Sequence, residues 1–367
     1  MNMIESGKVS FLIDAQWGST GKGKLAGYLY EKNPNLKYAI SNNMPNAGHT
    51  YTKNGKDFIF KVLPVGAVFP GVTTLLGPHA AIRVDLLEYE MEMVKNETGE
   101  YPTVFIHPMA TIVTTEDITE ESTLVDGIAS TGQGGCAAMT KKIWRRGEAN
   151  LAKDCEKVKH LIGDTHQILR EGIKSGEEAA LAEGSQGFDL SLNCGHSYPH
   201  TTSRDCLVGT MIDNCGIPLK SVGSIIACMR TLPIRVGSTK NTSGPFYSDQ
   251  KELNWKEVSE MCGYEVEEKT TVTKRIRRVF TFSETQTRKF CEYIRPDYAF
   301  LNFVNYYPEG ENRDSMVDYI GSILSDYGCT LRLLGTGAEL EDMQDLHVPN
   351  ENIEQLFLWE GQPENVL

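Results

Sequence analysis

Short apolar runs, each closing on glycine or polar residues, recur along the chain and alternate with stretches of helical spacing. Val9 to Ile13 is the first such run and reads as a buried strand. Gly18, Gly21 and Gly23 follow, with Lys22 and Lys24 among them, and then the helix-like Leu25 to Tyr30. Lys37 to Thr52 repeats the pattern as a short strand and a polar loop. Phe58 to Gly71 and Val72 to Gly77 read as strands punctuated by proline and glycine. Further strands are predicted at Thr103–Pro108, Ala179–Gly187, Tyr298–Asn305 and Thr330–Gly335, and Ser224–Val236 reads as strand and loop. Helical spacing marks Asp85–Val94, with Asp85 as N-cap, and also Glu156–Gly176 and 312–326. Residues 125–147 read as a Gly/Ser/Thr-rich loop followed by a basic cluster, and 265–278 change abruptly from acidic to basic. This alternation predicts an α/β fold with a large, mainly parallel central sheet, flanking helices and long functional loops. No repeat or linker divides it, so 1–367 is expected to be a single domain.

Composition narrows the function. A net charge of −13 argues against a nucleic-acid partner. The nine cysteines are scattered, without zinc or C-x-x-C spacing, and read as reduced thiols. No apolar run approaches the ~18 residues of a membrane span. No signal peptide is evident, and a cytoplasmic protein without a membrane partner is expected.

The first strand, glycine loop, lysine and helix together describe a phosphate cradle, because backbone N–H groups and a helix N-terminus attract anions. The spacing is not that of a Walker A motif. His49, in N-A-G-H-T (Asn46–Thr50), follows the second predicted strand and is a candidate for catalysis. The G-Q-G-G turn from Gly132 to Gly135 lies between Thr131 and the pair Arg145, Arg146, which are natural phosphate donors. Gln186, in a glycine turn at a strand end, is placed to meet a base edge.

In their order and spacing these motifs resemble the adenylosuccinate synthetase family over nearly the whole chain. The family's Q-W-G-D-E-G-K-G-K stands here as QWGSTGKGK (Gln16–Lys24), and N-A-G-H-T is retained. L-I-P-S-G…P-G-V is similar to Leu63–Val72, and T-T-G-R-G-I-G…R-R-G to Ser130–Cys136 and Arg145–Gly147. G-A-Q-G…Y-P-x-V-T-S matches Gly184–Gly187 and Tyr198–Ser203. R-V-G…G-P-F matches Arg235–Gly237 and Gly244–Phe246. T-x-T-G-R-x-R-R matches Thr271–Arg278, and the nucleotide turn G-x-G matches Gly335–Gly337. The resemblance implies a P-loop-NTPase-like fold and two steps: phosphorylation of purine O6, then displacement of that phosphate by the amino group of L-aspartate. Catalytic roles fall by position on Ser19, Lys22, His49 and Gln186, with His49 as general acid at the phosphoryl group or O6. The purine monophosphate would meet Ser19, Asn46, Ala47, Thr131, Gly132, Arg145, Gln186, Thr202 and Arg275. Aspartate would meet Thr271, Val272, Thr273 and Arg275. The triphosphate donor would lie along Gly18, Thr20, Gly21, Lys22, Gly23, Lys24, Gly48, His49, Thr50, Arg277, Asn305, Gly335, Thr336 and Gly337. Mg²⁺ is expected at Ser19 and Gly48, and a homodimer in which Arg145 crosses the interface.

Departures from the family pattern carry the specificity. Ser19 replaces a catalytic aspartate that takes the N1 proton of hypoxanthine, and a serine hydroxyl is too weak an acid to replace it. Either the chain binds nucleotide without turnover, or the substrate has changed. Guanine carries a 2-amino group beside N1, and the smaller Ser19 leaves room for it and can accept its hydrogen bond. This pattern resembles the bacteriophage branch of the family, which acts on dGMP in the route to 2-aminoadenine DNA; host cytoplasm is then the expected compartment. Asp14, where relatives usually have glycine, is either the displaced carboxylate or a capping residue at a strand end. Asn305 replaces the aspartate that reads guanine in GTP, and Phe303 the neighbouring lysine, so ATP or dATP is the expected donor. Lys274 for glycine, Gln133 for arginine and one extra residue between Gln186 and Thr202 are further departures. The alternatives are a conventional enzyme using IMP and GTP, or a non-catalytic nucleotide-binding relative.

Overall fold

The computed structural model describes residues 2–237, 242–270 and 274–347. Val9–Asp14 forms strand β1, and all six of its residues are buried. A strand buried along its length is covered on both faces, the condition of a parallel sheet between helices. β1 pairs in parallel with Val222–Arg230 on one side and Ala179–Glu183 on the other. Leu36–Ser41, Thr73–Leu76 and Thr103–Ile106 continue the sheet past Ala179–Glu183, while Tyr298–Asn302 and Thr330–Gly335 continue it past Val222–Arg230. These pairings are parallel, and Met343–Asp345 at the far edge runs antiparallel. The result is the mainly parallel sheet that the alternation predicts, with nine strands.

Neighbouring residues of β1 feed opposite layers, as a period of two requires. Leu12 packs with Leu25, Leu29, Phe58 and Phe60 on one face. Phe11 and Ile13 pack with Phe188, Met211 and Phe290 on the other. Full burial of each such side chain contributes about 1.5–3 kcal/mol. Among the described residues no helix is long and apolar enough to cross a membrane, and all nine cysteines are free.

Several elements differ from the sequence expectation. Helix Val84–Thr98 is capped at Arg83, and Asp85 sits inside its first turn, paired to Arg83. Glu156–Gly176 is not one helix. It breaks into 3-10 turns at Glu156–Leu161 and Ile173–Ser175 around a helix at Thr165–Gly172. Gly163 lies so close to Phe105 that a Cβ would meet the ring at 2.7 Å, and Asp164 caps the new helix by accepting from Gln167 N–H. The stretch read as loop and basic cluster contains helix Gly135–Trp144, started by Gly134 at φ 83°. Lys141 and Lys142 fall in its last turn, where positive charge complements the helix dipole. The strand beginning near Phe58 ends at Phe60, and Val65–Val68 is a 3-10 turn. Buried Glu90 accepts the N–H groups of Lys61, Val62 and Leu63 and so bends the chain there. The strand from Tyr298 stops at Asn302, since Phe303 turns at φ 59°.

Candidate active site

Four neighbouring or near-neighbouring parallel strands end in a buried polar or charged residue: Asp14, Glu183, Arg230 and Asn302. In an open α/β sheet the carboxyl ends of the strands form the binding crevice. These four side chains organise the loops above it.

Asp14 holds the glycine loop. Its Oδ1 accepts from the N–H groups of Gln16 (2.9 Å) and Gly18 (3.1 Å). Its Oδ2 accepts from Thr20 Oγ1 (2.6 Å) and Lys22 Nζ (3.0 Å). The carboxylate therefore acts as the capping residue of the strand end, with four donors converging on it. Lys22 is the first residue of helix Lys22–Lys32, and its ammonium also donates to the Gln186 carbonyl at 3.0 Å. Gly21 turns into that helix at φ 94°, where a Cβ would strike the Asn302 amide. Gly23 approaches the Thr50 backbone so closely that a Cβ would lie 2.1 Å from its carbonyl. Burial pushes the Lys24 ammonium down to about 8, despite the raising charges of Asp342, Glu339 and Glu341. Its Nζ donates to Gly337 O at 2.8 Å, joining the glycine loop to the Gly335–Gly337 turn.

Ser19 is exposed in a left-handed conformation, φ 57°. Its carbonyl accepts from Arg230 Nη1 at 3.1 Å. Arg230 is fully buried, forms a two-pronged ion pair with Glu268, and stacks its guanidinium 3.7 Å over the Phe303 ring. Tyr306 Oη donates to Glu268 at 2.7 Å. Burial pushes the Glu268 carboxyl up, but the Arg230 charge and these hydrogen bonds outweigh it and hold the group below its ordinary value. The Ser19 backbone is thus fixed by a buried network, while the residue itself is exposed. Arg230 and Glu268 are absent from the sequence-predicted site.

His49 begins the strand His49–Lys53, rather than sitting in a loop, and is 5% exposed. Three residues before it, Asn46 Nδ2 donates to buried Glu121 at 2.9 Å, and Thr131 Oγ1 donates to the Asn46 carbonyl at 3.3 Å. Asn46 and Thr131 are therefore brought together, as a shared phosphate site requires. Gly132 follows at φ 59°, its N–H bonded to Ser130 Oγ. Gln186 occupies a left-handed conformation (φ 67°), and at Gly187 a Cβ would collide with the Gln16 carbonyl at 2.4 Å. The Gln186 turn is thereby pressed onto the glycine loop. Thr202 N–H donates to Leu190 O at 2.7 Å.

Gly335 ends the strand next to Tyr298–Asn302, where a Cβ would meet Asn302 Oδ1 at 2.2 Å, and Thr336 is tied to the Asp342 carbonyl. Asn305 Nδ2 donates to Tyr264 Oη at 2.7 Å. Arg277 N–H bonds Glu268 O and so reaches that network by backbone, while Arg275 N–H bonds Thr270 Oγ1. Arg145 stands exposed at the end of helix Gly135–Trp144, with φ 57°. Ala47 and Gly48 lie between Asn46 and the strand His49–Lys53, and Thr50 is the second residue of that strand. Thr271, Val272 and Thr273 lie outside the described residues.

A lysine-bearing glycine loop, the Gln186 turn and the Gly335–Gly337 turn at strand ends of one parallel sheet, with buried His49 on a separate two-stranded sheet, have the arrangement of a nucleotide-dependent ligase. The chain belongs to the adenylosuccinate synthetase family, whose model matches residues 11–150 and 148–303. It is 42% identical to the N6-succino-2-amino-2'-deoxyadenylate synthase of Vibrio phage phiVC8 over 81% of this chain and 86% of the relative. The adenylosuccinate synthetase of Methanococcus aeolicus is 29% identical, over 92% of this chain and 99% of the relative. Among solved structures, the succinoaminodeoxyadenylate synthetase of cyanophage S-2L, bound to dGMP and dATP as an energy donor, superposes with a TM-score of 0.81. That structure is 30% identical, covering 92% of this chain and 95% of the other. The chain is a ligase that forms a C–N bond between a purine nucleotide and aspartate.

Proposed function

We propose that this ligase joins dGMP to L-aspartate, with ATP or dATP as phosphoryl donor, by way of a 6-phosphoryl purine. Ser19 is the observation that carries this reading. At the position of the family's catalytic aspartate it offers a small, neutral, exposed side chain on a backbone that Arg230 holds in place. A guanine 2-amino group fits beside such a residue and can donate to its hydroxyl, whereas a carboxylate would crowd it. Relatives sharing 31–42% identity, all from bacteriophages, carry the 2-amino-2'-deoxyadenylate name.

The site residues would divide the work as follows. Lys22 and the loop N–H groups neutralise the transferring phosphate, and Lys24 the phosphates nearer the Gly335–Gly337 turn. His49 meets the transferring phosphoryl group or O6, and Gln186 the base edge. Asn46, Thr131 and Thr202 hold the 5′-phosphate. Thr273 and Arg275 hold aspartate and sugar. Asn305, with both donor and acceptor atoms, suits an adenine donor. Arg145, flanked by the exposed Ile143 and Trp144, would complete the site of a second copy in a homodimer. The free thiols of all nine cysteines suit a host-cytoplasmic enzyme.

Mg²⁺ fits the donor set in kind: Ser19 and Gly48 are exposed residues, and a hydroxyl and a carbonyl are oxygens of the hard type it prefers. The Ser19 carbonyl is already taken by Arg230 and Asp14 by four donors, so the compensating negative charge would come from the phosphates. Bound there, the ion neutralises charge on the donor phosphates.

The test is to incubate IMP, GMP or dGMP with aspartate and Mg²⁺, with either ATP or GTP, and weigh the product. Succinylated dGMP formed with ATP or dATP is expected. Product from IMP with GTP alone overturns the reading, and binding without product in any combination favours a non-catalytic relative.

A further inference from the structure

His49 is buried, and neither of its ring nitrogens has a hydrogen-bond partner among the described residues. Its Nδ1 lies 3.7 Å from Oε2 of Glu183, slightly beyond hydrogen-bonding distance, and both side chains are almost wholly enclosed. Glu183 is the last residue of a central strand paired to β1. Its carboxylate is fixed from the far side: Oε2 accepts from Val65 N–H at 3.0 Å and Oε1 from Gly66 N–H at 3.2 Å. Each carboxylate oxygen accepts more than one hydrogen bond, so Oε2 keeps a lone pair for the imidazole. A small rotation of the ring closes the gap, whereas Glu183 is held by backbone at a strand end.

We propose that Glu183 is the positioning residue of His49: it accepts a hydrogen bond from Nδ1–H and thereby presents Nε2 to the bound substrates. The proposal rests on the reading of His49 as the group that meets the transferring phosphoryl. In a neutral imidazole one nitrogen donates and the other accepts, and which does which is set by the partner of one of them. A buried carboxylate accepts only, so it selects the Nδ1–H tautomer. When Nε2 also carries a proton, the carboxylate faces the positive ring, and Nε2–H points at the substrate. The arrangement has the logic of a carboxylate orienting a catalytic histidine, with a phosphoryl oxygen or O6 in place of an acyl group.

The test uses full-length enzyme labelled with ¹⁵N-histidine, with the His49 signals assigned by their loss in His49→Gln. The wild-type protein is expected to show His49 protonated at Nδ1 in its neutral form. In Glu183→Gln one acceptor oxygen becomes an NH₂, so either Nδ1 or one of the Val65 and Gly66 N–H groups loses its acceptor, and the Nδ1–H population should fall. Turnover should fall about 10²-fold or more with KM for both nucleotides changed little. A wild-type Nε2–H tautomer overturns the proposal, as does a Glu183→Gln enzyme with unchanged spectrum and turnover. If Glu183→Gln does not fold, the wild-type spectrum decides alone. That spectrum needs no substrate, so a failed ligase assay beside an Nδ1–H ring sinks the functional reading and leaves the positioning intact.

Discussion

Lys22 Nζ lies 3.0 Å from Asp14 Oδ2, and both side chains are buried. The lysine that would neutralise the transferred phosphate is therefore paired within the chain before any nucleotide arrives. Removing one member of a buried pair costs about 3–5 kcal/mol because the other charge is left without compensation. Asp14→Asn should destabilise the free protein by about that amount. A bound triphosphate then becomes the counter-charge, so the rise in melting temperature on adding a non-hydrolysable ATP analogue should be larger in Asp14→Asn than in wild type. An equal or smaller rise would show that Lys22 does not meet the donor phosphates.

Arg230 is the second buried charge that controls the loop. Arg230→Met removes the contact to the Ser19 carbonyl and leaves Glu268 and Tyr306 without their cation. Glu268 is 19% exposed at its side chain, so the loss belongs at the lower end for broken pairs, about 3 kcal/mol. Chemical denaturation of Arg230→Met, Glu268→Gln and the double variant should give a double-variant loss smaller than the sum of the singles.

Glu90 gives a pH signature. Burial pushes its carboxyl up to about 7, against the lowering pull of the Leu63, Lys61 and Val62 N–H groups. A carboxyl raised in the folded state stabilises the fold fully below its unfolded value near 4.5, and that contribution is lost as pH rises toward 7. Glu90→Gln cannot titrate. The stability of wild type relative to Glu90→Gln should fall by about 3 kcal/mol between pH 4.5 and 7 and then level off. Parallel stability–pH curves for the two proteins would contradict it.

Donor choice is tested at Asn305, whose amide donates to Tyr264 and whose oxygen is left for a base. Asn305→Asp supplies an acceptor-only carboxylate, which suits the guanine N1–H and 2-amino group. The ratio of KM for ATP to KM for GTP should rise about tenfold, the ~1.4 kcal/mol of one good hydrogen bond. A ratio that stays constant would remove Asn305 from the base site.

The cradle was legible in the sequence because its glycines are local requirements: Gly18 and Gly21 adopt positive φ, and Gly23 touches the Thr50 backbone. The parallel sheet was legible because runs such as Val9–Ile13 are buried throughout. The alternatives left open for Asp14 were resolved by the conformation of the loop, since its partners Gln16, Gly18, Thr20 and Lys22 meet it only once the loop folds back. Arg230, Glu183, Glu268 and Glu121 went unrecognised because they act on other site residues rather than matching a binding pattern. A signal for two of them was present. A-A-L-A-E183 and S-I-I-A-C-M-R230, like V-S-F-L-I-D14, are buried runs that end abruptly in an ionisable residue. Helix Gly135–Trp144 was hidden by its glycine-rich start and basic end, which read as loop chemistry but serve as its N-cap and dipole partners.

The central claim is that the small neutral residue at position 19 selects a purine with a 2-amino group. Its most direct test is kcat/KM for dGMP and for dIMP, measured with the same donor in the wild-type enzyme and in Ser19→Asp. The account predicts that wild type favours dGMP and that Ser19→Asp lowers dGMP use by at least about tenfold relative to dIMP, the scale of a single crowded or unpaired contact. Unchanged or improved dGMP turnover in Ser19→Asp would contradict it.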